Sequence, residues 1–174
     1  PDERIKRESE CVRNPAYRSN ASKNGNTQAV ARENSWNGNM KDLPLEFAKS
    51  IYKKQYWLEP RFDQVNALSP SVAEELLDTG VNCGPNFAKP LLQRALNLLN
   101  NQGKAGWPDL KVDGVYGSAT LGALKTYLSK RGKEGEKVLV RVLNIMQGQR
   151  YIEICERNPK QEQFFYGWIA NRIG

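Results

Sequence analysis

The 174-residue chain contains no histidine. That absence excludes Ser-His-Asp and Cys-His nucleophilic chemistry and any metal centre that depends on imidazole. An enzyme built on this sequence must work with carboxylates, tyrosines or lysines. Cysteine is nearly as scarce. Cys11, Cys83 and Cys155 are odd in number and widely spaced, so they match neither a disulfide framework nor a zinc site, and reduced thiols are expected. No apolar run reaches the roughly 18 residues of a membrane span, and no signal-peptide pattern opens the chain, so no membrane insertion is predicted. The chain starts at Pro1 rather than methionine, as a trimmed chain or a piece of a longer one would. Strand-like alternation is also missing, apart from one short extended stretch from Leu110 to Val115.

What the chain does have is positive charge, +7 from 26 basic and 19 acidic residues. Such a balance favours anionic partners: nucleic acid, a membrane surface or the bacterial wall polymer. The basic residues are scattered, with only short clusters at Lys53-Lys54 and Lys130-Arg131. No nucleic-acid motif accompanies them, and nucleic acid is not the predicted partner.

Apolar periodicity predicts a chain of helices. Glu3 to Val12 reads as a short helix with a narrow apolar stripe, ended by Asn14-Pro15. Ala16 to Asn26 is polar loop, and Thr27 is placed to cap a short helix carrying Ala29, Val30 and Ala31. Leu43 to Trp57 is amphipathic, with Pro44 early in the helix. Ser69-Pro70 opens a helix through Val72, Leu76 and Val81, which Gly84-Pro85 breaks. Further helices are predicted from Phe87 to Asn101, from a Ser118 cap through Leu128, from Glu134 to Cys155, and from Glu162 to Ile173. The helix from Glu134 is apolar on several faces and is expected to form the central core. The Gly/Pro/Asp-rich stretch from Gln102 to Gly117 resembles a calcium loop at Asp109-x-Lys111-x-Asp113-Gly114. It lacks the closing glutamate, and no metal or cofactor is predicted. The predicted fold class is all-α, with at most a very small β element.

Three groups of residues could carry chemistry. Glu8 and Glu10 lie on a helix that runs into a polar loop, which can hold an acid at the lip of a cleft or leave both side chains solvated. They sit about 200° apart around a helix, so one cleft cannot take both. Tyr56 and Trp57, at a helix end, suit either core packing or stacking on a sugar. Asp78 and Asn82 share a helix face, where they can cap buried backbone or line a cleft.

These residues bear a resemblance to a known family. The segments are Thr27-Gln28-Ala29-Val30, Lys49 through Trp57, Asp78-Thr79-Gly80-Val81-Asn82-Cys83-Gly84-Pro85, Leu91-Leu92-Gln93-Arg94-Ala95-Leu96-Asn97, Val112-Asp113-Gly114-Val115-Tyr116-Gly117 with Thr120-Leu121, and Gly167-Trp168. In this order they resemble the N-acetylmuramidases of glycoside hydrolase family 108, which join a lysozyme-like catalytic part to a predicted peptidoglycan segment. The resemblance implies a lysozyme-like superfamily fold in a single compact helical domain, with a catalytic part over 1–85 and a peptidoglycan-binding-like part over 86–174. It implies cleavage of the β-1,4 bond between N-acetylmuramic acid and N-acetylglucosamine. The family's glutamate, in a Glu-Gly-Gly-Tyr-Val motif, falls on Glu8. Ser9 and Glu10 stand in place of the two glycines, Cys11 in place of the tyrosine, Asn14 in place of an aspartate and Tyr17 in place of an acid. The implied general acid is Glu8, with Glu10, Tyr17, Ser19, Thr27, Tyr56, Trp57, Asp78 and Asn82 around the substrate. The altered loop leaves a second reading, a catalytically impaired peptidoglycan-binding module of the same fold. The family's settings imply synthesis in the cytoplasm and action in the periplasm or wall of a host or competitor, with a holin, or secretion machinery and an immunity protein, as partners.

Overall fold

The computed structural model describes residues 22–23 and 26–174, with side chains from Ala29 onward. The expected helix from Glu3 to Val12 lies outside them. The chain divides into two units, Pro1–Leu58 and Glu59–Gly174.

In the first unit β1 (Ser22–Lys23) pairs antiparallel with β2 (Asn26–Thr27), with Ser22 opposite Thr27. Helix α1 (Gln28–Glu33) follows directly, and a 3-10 turn over Met40–Asp42 is capped by Asn39, whose side chain accepts from Lys41 N at 3.1 Å. Helix α2 (Leu45–Lys53) starts two residues later than the predicted Leu43, and Pro44 is its extended N-cap rather than an early helical residue. Its last predicted turn departs from α geometry, since Lys54–Leu58 forms a single π-helical turn. The small core joins Ala31, Met40, Leu43 and Ala48, with Trp36 and Phe47 packed on it.

The second unit contains α3 (Phe62–Asn66), α4 (Pro70–Cys83), α5 (Pro85–Leu98), α6 (Ser118–Arg157) and α7 (Glu162–Arg172). Ser69 caps α4 by accepting from Val72 N at 3.3 Å, and Pro70 takes the first helical position, where its missing N–H costs nothing. Helix α4 buries Val72, Ala73, Leu76 and Leu77; α5 buries Ala88, Leu91, Leu92, Ala95 and Leu96. Both pack against α6. Helix α6 is broken at Gly132, whose φ of 57° and ψ of −152° are closed to other residues. The two predicted helices therefore survive as the runs 118–131 and 133–157. The cap of the first is Gly117, with no side-chain hydrogen bond, and Ser118 is already helical.

Two further expectations are corrected by the structure. The run after Gly132 is not buried on several faces. It buries one stripe, Gly135, Leu139, Leu143, Gln147, Tyr151 and Cys155, each four residues from the last, while Val138, Ile145 and Ile152 remain exposed. Leu110 to Val115 is not a strand: it bends at Gly114, whose φ is 71°, and side-chain amides take backbone groups that a partner strand would hold. Gln93 and Asn97 project from one face of α5 at i and i+4, and Asn100 follows in the turn just past the end of the helix. Asn97 both donates to Leu110 O and accepts from Leu110 N at 2.8 Å, and Asn100 donates to Asp109 at 2.7 Å. The fold class is all-α, with the two-residue β pair as its small β element.

Candidate functional site

The residues nominated from sequence fall in three places. Glu8, Glu10, Tyr17 and Ser19 lie outside the described residues, and of Thr27 only the backbone is described, in β2. Tyr56 and Trp57 belong to the first unit, Asp78 and Asn82 to the second.

The π-helical turn Lys54–Leu58 carries both aromatic residues, and each is half-buried. Tyr56 stands over Tyr52, four residues earlier, with ring centroids 4.9 Å apart. A π turn inserts one residue into the helical period and re-aims the side chains after it, an arrangement frequent at functional sites. Lys54 Nζ donates to Asn34 Oδ1 at 3.2 Å, tying this turn back to the end of α1.

Asp78 and Asn82 come together as the spacing predicts. Asn82 Nδ2 donates to Asp78 O at 2.7 Å and to its carboxylate at 3.3 Å. The carboxylate is buried and draws partners from two further helices: Gln147 Nε2 of α6 at 2.7 Å and Arg172 Nη1 of α7 at 3.1 Å. Tyr151 stacks on Trp168 at 4.9 Å beside this cluster, and Arg150 sits 5.0 Å over the Phe87 ring. Asp78 thus joins α4, α6 and α7 through charge-assisted hydrogen bonds in a low-dielectric setting. Burial pushes the nearby Cys83 thiol up to about 11, and burial also raises that of Cys155. Both cysteines are free, and both remain protonated thiols near neutral pH, unsuited to nucleophilic attack. Among the described residues no group of three or more Cys, Asp or Glu side chains is placed to hold a metal ion.

Sequence reasoning passed over Gln93, the hub of a third cluster. Its Nε2 faces Asp113 Oδ1 and Val115 O at 3.1 Å and Thr120 Oγ1 at 3.0 Å; its Oε1 accepts from Asp113 N at 3.0 Å and Gly114 N at 2.8 Å. Hydrogen bonds from Val115 N and Gln93 hold the Asp113 carboxyl below its ordinary range. Gly114 has a φ of 71°, and a Cβ there would meet Lys89 Cβ at 3.0 Å, so glycine is required on both counts. Tyr116 anchors the end of the loop by donating to Lys89 O at 2.8 Å, and Arg61 donates to Tyr116 O at 2.9 Å. The signal available in sequence was the spacing of the amides Gln93 and Asn97 along α5, with Asn100 just beyond its end.

Residues 2–84 match the family described as Glycosyl hydrolase 108, and residues 88–173 match the Predicted Peptidoglycan domain. Comparison with curated proteins gives no match. The two segments define a glycoside hydrolase directed at peptidoglycan, with peptidoglycan as its partner. Residues 2–84 carry the glycosyl hydrolase 108 match and residues 88–173 the predicted peptidoglycan match, so a hydrolase-family segment is followed by a peptidoglycan segment. Among the described residues no helix is long and apolar enough to cross a membrane.

Proposed function

We propose that this protein is a muramidase, cleaving the β-1,4 bond between N-acetylmuramic acid and N-acetylglucosamine with Glu8 as general acid. The observation that carries this reading is the hydrolase match over residues 2–84, which includes Glu8, followed directly by the peptidoglycan match. Cleavage of a glycosidic bond requires an acid to protonate the leaving oxygen as positive charge develops on the ring. For Glu8 to hold its proton near neutral pH, apolar surroundings must raise its pKa. With no histidine in the chain and both described thiols protonated, a carboxyl group is the acid that fits.

For the substrate, Tyr56 and Trp57 offer ring faces to a sugar, supported by their position in the π turn. Asn82 commits its amide donor to Asp78 and keeps Oδ1 for a glycan hydroxyl, so Asp78 serves in this proposal by orienting Asn82. Glu10, Tyr17, Ser19 and Thr27 complete the proposed substrate contacts, and Ser19, Thr27 and Asn82 are the polar groups proposed to place the attacking water. The catalytic part is proposed over 1–85 and the wall-binding part over 86–174. The protein is proposed to be made in the cytoplasm and to act in the periplasm or wall, delivered by a holin, or by secretion machinery with an immunity protein to protect the producer.

One observation favours a second reading. Ser9, Glu10, Cys11 and Asn14 replace the family's residues around Glu8, and a chain so altered can keep wall affinity without cleavage. Turbidity clearing of purified peptidoglycan by the protein and its Glu8→Gln variant, with mass spectrometry of released fragments, separates the two. Clearing with reducing-end muropeptides, abolished by Glu8→Gln, is the expected result. Retained pelleting with peptidoglycan but no clearing would replace the muramidase by a binding module.

A further inference from the structure

Helix α6 presents an unassigned groove on the second unit. Two rows of side chains, each at i, i+4 spacing, line it: Lys133, Lys137, Arg141 and Ile145 in one row, and Glu136, Val140 and Asn144 in the other. Ser71 of α4 and the C-terminal residues Ile173 and Gly174 complete the lining, which leaves a volume of about 540 Å³. That volume falls within the ordinary range for small-ligand sites, roughly 300–1,000 Å³.

The polar groups in the groove floor are already engaged. Glu136 accepts from Ser69 and from Ser71, the latter at 2.8 Å, and Asn144 Oδ1 accepts from Gly174 N at 3.0 Å. Lys137 pairs with Glu134 at 2.8 Å, outside the groove lining. Arg141 forms no ion pair among the described residues. The lining therefore combines three cations, one internally held carboxylate and the apolar surfaces of Val140, Ile145 and Ile173. Ile145 is 64% exposed, a large apolar side chain with nothing covering it.

We propose that this groove binds the peptide stems of peptidoglycan, with stem carboxylates on Lys133 and Arg141 and small alkyl side chains against Val140, Ile145 and Ile173. The inference rests on peptidoglycan as the partner, and it adds a site and a ligand class. Charge complementarity selects the occupant. The carboxylates of the wall polymer are concentrated on its stems, since amide linkage to the stem consumes the lactyl carboxyl of the glycan. No aromatic residue lines the groove, so it offers no face for a sugar ring. Arginine provides a planar fork for a carboxylate, and lysine a point charge beside it.

The test is a titration of the full chain with a synthetic stem pentapeptide bearing free carboxylates, followed by methyl NMR of the isoleucines. Shifts at Ile145 and Ile173 are expected, with affinity at least about tenfold weaker in the Lys133→Glu/Arg141→Glu variant, as the loss of charge-assisted hydrogen bonds implies. A control reversal of exposed charges outside the groove, Arg94→Glu/Lys125→Glu, should bind as the parent does. A folded double variant, checked by circular dichroism, that binds the peptide unchanged would overturn the proposal. So would a saturating titration without isoleucine shifts, or binding of a DNA oligomer at physiological salt in place of the peptide. The titration does not depend on hydrolysis. Loss of the groove leaves clearing by Glu8 to be measured, and loss of clearing leaves the peptide titration intact.

Discussion

Gln93 shows how much one buried amide can hold. Its oxygen takes two backbone donors and its nitrogen faces three acceptors, all from the loop and the helix start after α5. Gln93→Ala would strand the buried Gly114 N, while Asp113 N keeps Lys111 O as an acceptor, at a cost of about 1–3 kcal/mol in chemical denaturation. The same change should release the loop over 109–117, visible as faster amide exchange there. Glu136 gives a pH-dependent counterpart. Hydrogen bonds from Ser69 and Ser71 hold its carboxyl below the ordinary value of 4.5. A depressed folded pKa stabilises above the unfolded value, and that contribution is lost as pH falls through the lower folded one. The parent should therefore lose stability more steeply below about pH 4.5 than Glu136→Gln, which has no proton to take up there. Equal slopes in denaturant melts across that range would rule the linkage out.

At the scale of elements, two glycines of α6 make opposite predictions. Gly132 sits at φ 57° and ψ −152°, a region open essentially to glycine, so Gly132→Ala should cost about 1–3 kcal/mol. Gly122 is helical, and a Cβ added there meets nothing within 4 Å, so Gly122→Ala should stabilise by about 0.5–1 kcal/mol. Thermal melts of the two variants should shift in opposite directions. The helix ends were legible because their causes are local. Ser69-Pro70 and Gly84-Pro85 act through one residue's dihedral limits or one side-chain cap, and they fall where α4 begins and where α4 gives way to α5. What was not legible depends on distant partners. The α5 amides replace a strand partner for Leu110 to Val115, and nothing near that stretch signals it. The run after Gly132 looked apolar all round, yet which of its faces is covered is decided by α4, α5 and α7. Asp78 and Asn82 were found together through helical spacing, whereas Gln147 and Arg172 lie 69 and 94 residues from Asp78, beyond any local pattern. The π turn under Tyr56 and Trp57 likewise has no clear sequence signal.

At the scale of the molecule, the family boundary and the packing boundary fall at different places. The hydrolase match ends at 84 and the peptidoglycan match begins at 88, but the packing units divide between Leu58 and Glu59. Helix α4 therefore carries hydrolase-family sequence while packing with α5 and α6. It contributes Val72, Leu76 and Leu77 to their core, the cap serine that holds Glu136, and the carboxylate that pairs with Arg172. Removing it would open an apolar face on α5 and α6 and leave Gln147 and Arg172 without their shared acceptor. Truncating the two buried leucines costs about 2–5 kcal/mol each, and losing one partner of a buried ion pair adds roughly 3–5 kcal/mol, together comparable to the whole stability of an ordinary domain. A fragment beginning at residue 59 should therefore fold, with a cooperative melt and dispersed amide resonances, while one beginning at residue 86 should not. A folded 86–174 fragment would show that the peptidoglycan segment carries its own core and that α4 is only docked upon it. The expected failure of that fragment instead makes α4 the element that both matched segments share. In that case a mutation that loosens its contact with α5 and α6 should weaken wall binding and stability in step, measurable by pelleting with peptidoglycan and by denaturation of the same variants.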